Sequence, residues 1–540
     1  MTPTDAVNDA DLRVLAMCVF HLTGERRWLE PPFAPQRDVR LIADESAGLE
    51  EHAARELRTV AAALCDAEPA IVDPGDELMT EMMSVCLGER VPDEYAPMMR
   101  EELGLTTRDI AWPPDAAPAD QIGEALIVGA GVSGNVMGVR LGRLGVPYRI
   151  VERGSRVGGV WRDNRYPGCG VDTPNHAYSF SFAPSNRWSQ FFAPQPEIED
   201  YLRRTADEFG VTDHIEFDTD MVGACWHAHE QCWQVDLAGP SGQVVDRRYR
   251  HLIVAIGQLS DPAVPEIEGR AEFRGEQFHS SQWPDALDIS GKRVTIVGTG
   301  ASAMQIAPTI AEQVERLTVV QRSPQWARPI PRYHDAIPAG STWLFEHLPF
   351  YAAWFRFTML WRYGDGLLPH LRKDPDWPHP ERSLNRVNDR HRQEMTDHIG
   401  AELAGRPDLV ERCTPAYPPY GKRILLDNGW YAMLRRDNVE LLTGSASRLD
   451  REGLTVSDGA GGPDRHVDAD VIVFATGFEI AAMASRLEIR GRHGATLADA
   501  WADDDPRAHL GITVPGFPNL FCMQGPTTGL GHGGSAIFTS

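Results

Sequence analysis

No two cysteines in this chain stand closer than seven positions apart. The eight are Cys18, Cys65, Cys86, Cys169, Cys225, Cys232, Cys413 and Cys522. Without a C-x-x-C pair there is no dithiol for disulfide chemistry, and no Cys/His spacing suits zinc. Scattered thiols fit a reducing compartment, so a cytoplasmic protein is expected. Positive charge is also short: 52 Lys and Arg against 77 Asp and Glu leave a formal net charge of −25. Such a chain is repelled by phosphate backbones and anionic lipid, which argues against nucleic acid or a membrane surface as a partner. Long apolar runs are missing too. The aromatic-rich stretch from Trp343 to Tyr363 is broken by Glu346, His347, Pro349 and Arg356, so a membrane-spanning helix is not expected. The opening MTPTDAVNDADLR has no basic segment leading into an apolar one, so no secretion signal is expected.

What remains is the composition of a globular chain of several domains, with 42% hydrophobic and 24% charged residues over 540 positions. Residues 1–118 read as a helical extension. AGLEEHAARELRTVAAALCDAE (47–68) repeats its apolar positions at helical spacing, and no catalytic cluster appears there. A docking or dimerisation role follows, so a homodimer is among the expected assemblies. Residues 106–120, TTRDIAWPPDAAPAD, have the composition of a linker.

Two β-α-β units follow. Ala125–Val128 leads into Gly129-Ala-Gly-Val-Ser-Gly134, a helix over Asn135–Leu144, and a strand Tyr148–Val151 ending at Glu152. Arg293–Val297 leads into Gly298-Thr-Gly300-Ala-Ser-Ala303, a helix to about Val314, and a strand Leu317–Val320. Glycines in such a loop allow a tight turn and close backbone approach to a pyrophosphate, which the helix N-terminus then binds. Glu152, 23 residues after Gly129, is placed to bind ribose hydroxyls, so the first loop is expected to hold FAD or NAD. The second unit has Gln321 at the same spacing from Gly298, with Arg322 next. A guanidinium can bind the 2′-phosphate that a carboxylate would repel, so this loop is expected to hold NADPH. Arg322 as a solvated surface charge is the alternative.

Between the loops runs Phe273-x-Gly275-x-x-x-His279-x-x-x-Trp283-Pro284. Upstream stand Gly158, Gly159, Trp161, Tyr166, Pro167, Gly168 and Asp172, in the pattern G-G-x-W-x-x-x-x-Y-P-G-x-x-x-D. Downstream stand Asp470 with Ala475–Gly477, and Lys422 with Arg423. Together these resemble the type I Baeyer–Villiger monooxygenases over most of residues 121–540. The subgroup with an extra N-terminal helical domain, typified by 4-hydroxyacetophenone monooxygenase, is the most similar. Trp283 and Pro284 separate this pattern from flavin-containing monooxygenases that oxygenate sulfur or nitrogen, the alternative reading.

The resemblance implies an enzyme that uses FAD, NADPH and O2 to insert an oxygen atom beside a ketone carbonyl, aryl or cyclic ketones being candidates. It implies that Arg423 stabilises developing negative charge, that Asp172 orients it, and that Lys422 helps Arg322 hold the 2′-phosphate. Gly159 and Trp161 are expected beside the flavin. Taken alone, Arg423 is equally a structural ion-pair partner. The resemblance places His279 on the connection between domains, as a hinge. Trp501, and the aromatic group Phe350, Trp354, Phe355 and Trp361, either line the site or pack in the core.

The expected architecture is α/β, with two nested Rossmann-like domains. An FAD part spans 121–275, and an NADPH domain spans 285–460 with a helical insertion near 343–400. A second FAD part spans 465–540, with Val471–Gly477 returning to the first domain's sheet. Relatives continue past the position of Ser540, so this last part is expected to be cut short, and a non-catalytic flavoprotein is the remaining alternative.

Overall fold

Two parallel sheets organise the chain, each centred on short apolar strands. The structure is a computed structural model. It describes residues 1–38, 44–67, 71–113, 122–330, 333–458, 462–480, 487–502 and 505–528. Of the C-terminal part expected to be cut short, residues 529–540 lie outside the described residues.

In the first sheet the strand order is 520–522, 251–254, 125–128, 148–151, 215–216, and every neighbouring pair is parallel. In the second the order is 439–443, 316–321, 293–297, 471–474, 276–279, again all parallel. Central strands such as Ala125–Val128 and Val471–Phe474 are buried at all four positions. Strands covered on both faces read as continuous Ile/Val/Leu runs rather than alternating ones. A third sheet joins 220–227, 232–238 and 244–249 antiparallel, with Glu488–Arg490 added on its edge.

Two expectations are corrected here. Val471–Phe474 does not return to the first sheet. It pairs with Arg293–Val297 and Glu276–His279 in the second. A four-residue apolar run carries no period that says which sheet it joins. The preceding Asp470 decides it, accepting the Arg293 N–H at 2.8 Å and an Arg293 guanidinium N–H at 2.8 Å. The strand that does return is Leu520–Cys522. Likewise the stretch carrying Phe273–His279 is not a free connection. Glu276–His279 is the edge strand of the second sheet, whose strands therefore run from 276 to 474 rather than lying within 285–460. Gly275 is required just before it, because a Cβ there would sit 2.3 Å from the Asp470 carbonyl oxygen.

The N-terminal helices Leu12–Thr23, Glu51–Cys65, Gly75–Leu87 and Ala96–Glu102 pack as a layer against the insertion helices Ala339–His347 and Tyr351–Tyr363. Leu12–Thr23 is capped by Asp11, whose carboxylate accepts the Arg13 N–H at 3.0 Å, and it stops at Gly24 in the left-handed region. The layer is fastened by polar contacts as well as apolar burial. The Asp11 N–H donates to the Tyr351 hydroxyl at 3.0 Å, and the Gly340 N–H to Asp9 at 2.9 Å. Glu102 meets the Arg356 guanidinium at 2.9 Å, with both side chains more than nine-tenths buried. Trp354 and Phe355 lie in this shared core, with Phe350 and Trp361 packed against it, and Trp501 is buried under the first sheet. All five side chains serve packing.

Candidate active site

A cavity of about 970 Å³ opens between the second glycine loop and the upstream G-G-x-W segment. Trp161, Asp172, Gly298, Gly300, Arg322, Lys422 and Arg423 line it. Residues from four separate stretches of sequence thus meet on one surface. Gly129, Gly131, Gly134, Glu152, Gly159 and Ala303 lie outside its lining, as do Phe273, Gly275, His279, Trp283 and Pro284.

Asp172 sits at the centre of the polar wall. Its carboxylate accepts an Arg423 guanidinium N–H at 2.5 Å and the Gln305 side-chain N–H at 3.1 Å. Burial pushes the Asp172 carboxyl upward, while the nearby Arg423 charge pulls it back down. Arg423 itself is 62% exposed, so its charge is available to whatever fills the cavity. Gln305 was not legible as a site residue. It belongs to the helix Ala301–Ile310, yet it accepts from the Tyr166 hydroxyl at 3.0 Å and donates to the Gly170 carbonyl at 2.9 Å. It therefore joins the upstream fingerprint to the second domain. Gly168 serves the same junction, since a Cβ there would lie 2.3 Å from the Thr309 hydroxyl.

Lys422 donates to the Ser323 hydroxyl at 2.8 Å, which sets it beside the exposed Arg322 at the cavity rim. The turn presenting Lys422 and Arg423 starts at Tyr420, whose φ of +68° is unusual for a bulky side chain. Its hydroxyl lies 2.8 Å from His391 Nδ1, which anchors the strained residue.

His279 is buried, and its ring spans two structures. Nε2 lies 2.9 Å from the Gly477 carbonyl, and Nδ1 accepts the Ser281 N–H at 3.2 Å. Burial lowers its pKa, consistent with a neutral ring donating from Nε2. It ties the edge strand to the Ala475–Gly477 turn, which lines the cavity. Trp283 packs edge-on against Phe278 at 5.2 Å, while Phe273 is buried in a separate apolar cluster.

Both glycine loops suit nucleotide phosphates. The helices Val132–Arg143 and Ala301–Ile310 start at Gly131 and Gly300 with no side-chain cap, which leaves their first N–H groups for a ligand. Gly129 turns at φ +105°, and Gly134 admits no side chain because a Cβ would be 1.9 Å from the Gly129 carbonyl oxygen. Glu152 is nearly spent on the protein. It accepts the Ala130 and Gly154 N–H groups, both at 2.8 Å, and pairs with buried Arg162 at 2.6 Å. It braces the loop, with one acceptor position left for a ribose hydroxyl.

Two further cavity residues escaped the sequence reading. Arg328 and Tyr363 line the wall formed by the strand Ala327–Pro329 and the end of the insertion helix. Neither belongs to the fingerprints quoted above.

Residues 126–340 match the family model described as pyridine nucleotide-disulphide oxidoreductase. All eight cysteines are free, so the dithiol in that description has no counterpart here. A Baeyer-Villiger monooxygenase of Streptomyces coelicolor is 36% identical over 409 residues, covering 75% of this chain and 74% of that protein. The chain belongs to the Baeyer–Villiger monooxygenase family. An uncharacterized monooxygenase of Sinorhizobium fredii is 39% identical over 540 residues, spanning 99% of this chain and 80% of that protein, so its match takes in the N-terminal helices. Among solved structures, the OTEMO complex with FAD and NADP aligns with a TM-score of 0.64 and 30% identity, over 78% of this chain and 82% of its own. Membership in the family agrees with the fingerprint carried by Phe273, Gly275, His279, Trp283 and Pro284.

Proposed function

We propose that this chain uses FAD and NADPH to insert one oxygen atom of O2 beside a ketone carbonyl, giving an ester or lactone. The observation that carries the site assignment is the Arg423–Asp172 pair on the wall of a cavity that also holds the second glycine loop. FAD is assigned to the Gly129–Gly134 loop and NADPH to the Gly298–Ala303 loop, with Arg322 and Lys422 on the 2′-phosphate. The OTEMO complex, an aligned relative, holds both nucleotides. When bound, the flavin reduced by NADPH activates O2. Arg423 then supplies a fixed positive charge where negative charge builds on the carbonyl oxygen, and arginine does so without giving up its proton. Asp172 holds that guanidinium in place. His279 sets the Gly477 turn. Nucleotide and substrate together displace water from Arg423, which strengthens its field.

The helical layer at the N-terminus supports a reading of the chain as an N-terminally extended member that acts on aryl or cyclic ketones. Aerobic turnover with NADPH over a ketone panel, followed by mass analysis, tests the reading. An ester 16 mass units above the ketone is expected, an increment of one oxygen atom. Oxygenation of sulfides or amines with no ester from any ketone would favour the sulfur and nitrogen oxygenases instead. Flavin binding without any oxygen transfer would favour a non-catalytic flavoprotein.

A further inference from the structure

We propose that Arg328 and Tyr363 form an anion subsite in the substrate cavity, so that the preferred ketone carries a carboxylate. The inference rests on the oxygenase reading above and names its substrate class.

Four arginines are buried among the described residues: Arg13, Arg162, Arg328 and Arg356. Three have carboxylate partners. Arg13 pairs with Asp11 at 2.8 Å, Arg162 with Glu152 at 2.6 Å and Arg356 with Glu102 at 2.9 Å. Arg328 breaks the rule. It is 7% exposed, and among the described residues no hydrogen bond or ion pair reaches its guanidinium. Its Nε is buried and unbonded. The Tyr363 ring lies 4.4 Å from the guanidinium carbon, and the Asp172 charge acts on it without a hydrogen bond or ion pair. A cation–π contact contributes about 0.5–2 kcal/mol. Removing a charge from water costs several kcal/mol even after relaxation. The stacking alone does not offset that cost, and an anion arriving from the cavity would.

The setting selects the ligand. Arg328 is paired in register with Leu426, three residues beyond Arg423, so neighbouring strands bring the two guanidinium groups to one cavity. Both charges act on Asp172. One carboxylate against two guanidinium groups leaves a single positive charge unmatched, which suits a monoanion. Arg322 and Lys422 are assigned to the nucleotide phosphate at the rim. Leu367, Ile424 and Leu426 line the cavity beside Arg328 and offer apolar surface for the body of the substrate. A planar fork that stacks on a ring and faces apolar walls fits an aryl carboxylate held by two parallel N–H donors.

The test uses the FAD-loaded full chain and the pair 4-acetylbenzoate and methyl 4-acetylbenzoate, which share a ketone and differ in charge. We expect kcat/KM to favour the acid at least tenfold, and Arg328→Met to collapse that ratio toward one. Arg328→Lys should restore part of it. Benzoate binding to the oxidised holoenzyme, followed by calorimetry, should weaken at least tenfold in Arg328→Met. Bound flavin content and unfolding temperature show whether the variant is folded. If it is not, the wild-type preference and its reduction in Arg328→Lys decide. The proposal is overturned if wild type does not prefer the acid, if the ratio is the same in both proteins, or if Arg328→Met raises only the KM for NADPH. Failure of the oxygenase reading looks different: neither ketone is oxygenated, while benzoate binding still depends on Arg328.

Discussion

Asp172 grips Arg423 at 2.5 Å across 251 positions of sequence, and it does so from a buried loop while the arginine stays largely open to the cavity. The carboxylate is fixed on its other side by Gln305 at 3.1 Å. One charge, carried by the first domain and fixed by Gln305 of the second, therefore aims a second, more exposed charge of that second domain. In the mechanism proposed above, the arginine stabilises developing negative charge and the aspartate restricts its direction.

That division of labour predicts different losses on the two sides. Arg423→Ala should still be reduced by NADPH, read as bleaching of the flavin absorbance under anaerobic conditions, and should lose ester formation by about 10²–10³ fold or more, the range seen when a preorganised charge-stabilising donor is removed. Normal ester yield from this variant would contradict the assignment.

Asp172→Asn separates charge from shape. Burial raises the Asp172 carboxyl, so its charge is lost at a pH above that of an ordinary carboxyl, about 3.9. As pH falls through that raised value, Arg423 loses its counter-charge. The acid limb of kcat/KM should follow Asp172 and vanish in the variant. Because the raised pKa means that ionisation works against folding at neutral pH, the variant should unfold no earlier than wild type at pH 7.

The Glu102–Arg356 pair joins the N-terminal layer to the insertion, and Arg356 reaches further. Its Nη1 donates to the His176 carbonyl and to the Ser179 hydroxyl at 2.8 Å, and its Nη2 donates to the Ser179 carbonyl at 3.1 Å. His176 and Ser179 flank Tyr178, which lines the cavity together with Asp172 and Thr173. Removing one member of a buried pair costs about 3–5 kcal/mol. Arg356→Met should lower the denaturant midpoint accordingly, and Glu102→Gln should cost less because the loop contacts survive. Equal midpoints for wild type and Arg356→Met would show that the layer is not fastened there.

Three histidines, His176 and His391 buried and His370 half-buried, should make the fold acid-labile. Burial pushes His176 down to about 3, His370 to about 4 and His391 to about 3. In the unfolded chain each would take a proton near 6.5. A depressed histidine contributes stability that is present above 6.5 and is lost as pH falls toward the folded value. Between about pH 6 and 4 three such groups should drive stability down by up to about 4 kcal/mol per pH unit. His176 stands among Phe345 and Phe355 with both ring nitrogens unbonded. His176→Phe should reduce the slope by the equivalent of one proton, measured by denaturant titration across that range.

The sequence made the glycine loops and the fingerprint readable because each has a local geometric cause. Gly134 leaves no room for a Cβ, and Gly275 faces the Asp470 carbonyl. Residue type at one shared spacing separates Glu152 from Gln321-Arg322. What stayed hidden was set by tertiary contact. Nothing in Val471–Phe474 tells which sheet it enters until Asp470 meets Arg293. Gln305 looks like any polar residue of a helix, and its reach to Tyr166 and Asp172 depends on how two domains meet. Arg328 is one arginine among many, and only the missing partner makes it notable.

The late return of Leu520–Cys522 has a consequence for biosynthesis. This strand covers Leu252–Val254, which would otherwise be the open edge of the first sheet. At about 5–20 residues per second, the ribosome takes roughly 13–54 s to bring Leu520 out after Leu252. Through that interval the nascent first domain carries an unpaired strand flank, the kind of surface that templates aggregation. Expression in the cell should therefore respond to translation speed and chaperone supply more than the mature fold's burial would suggest.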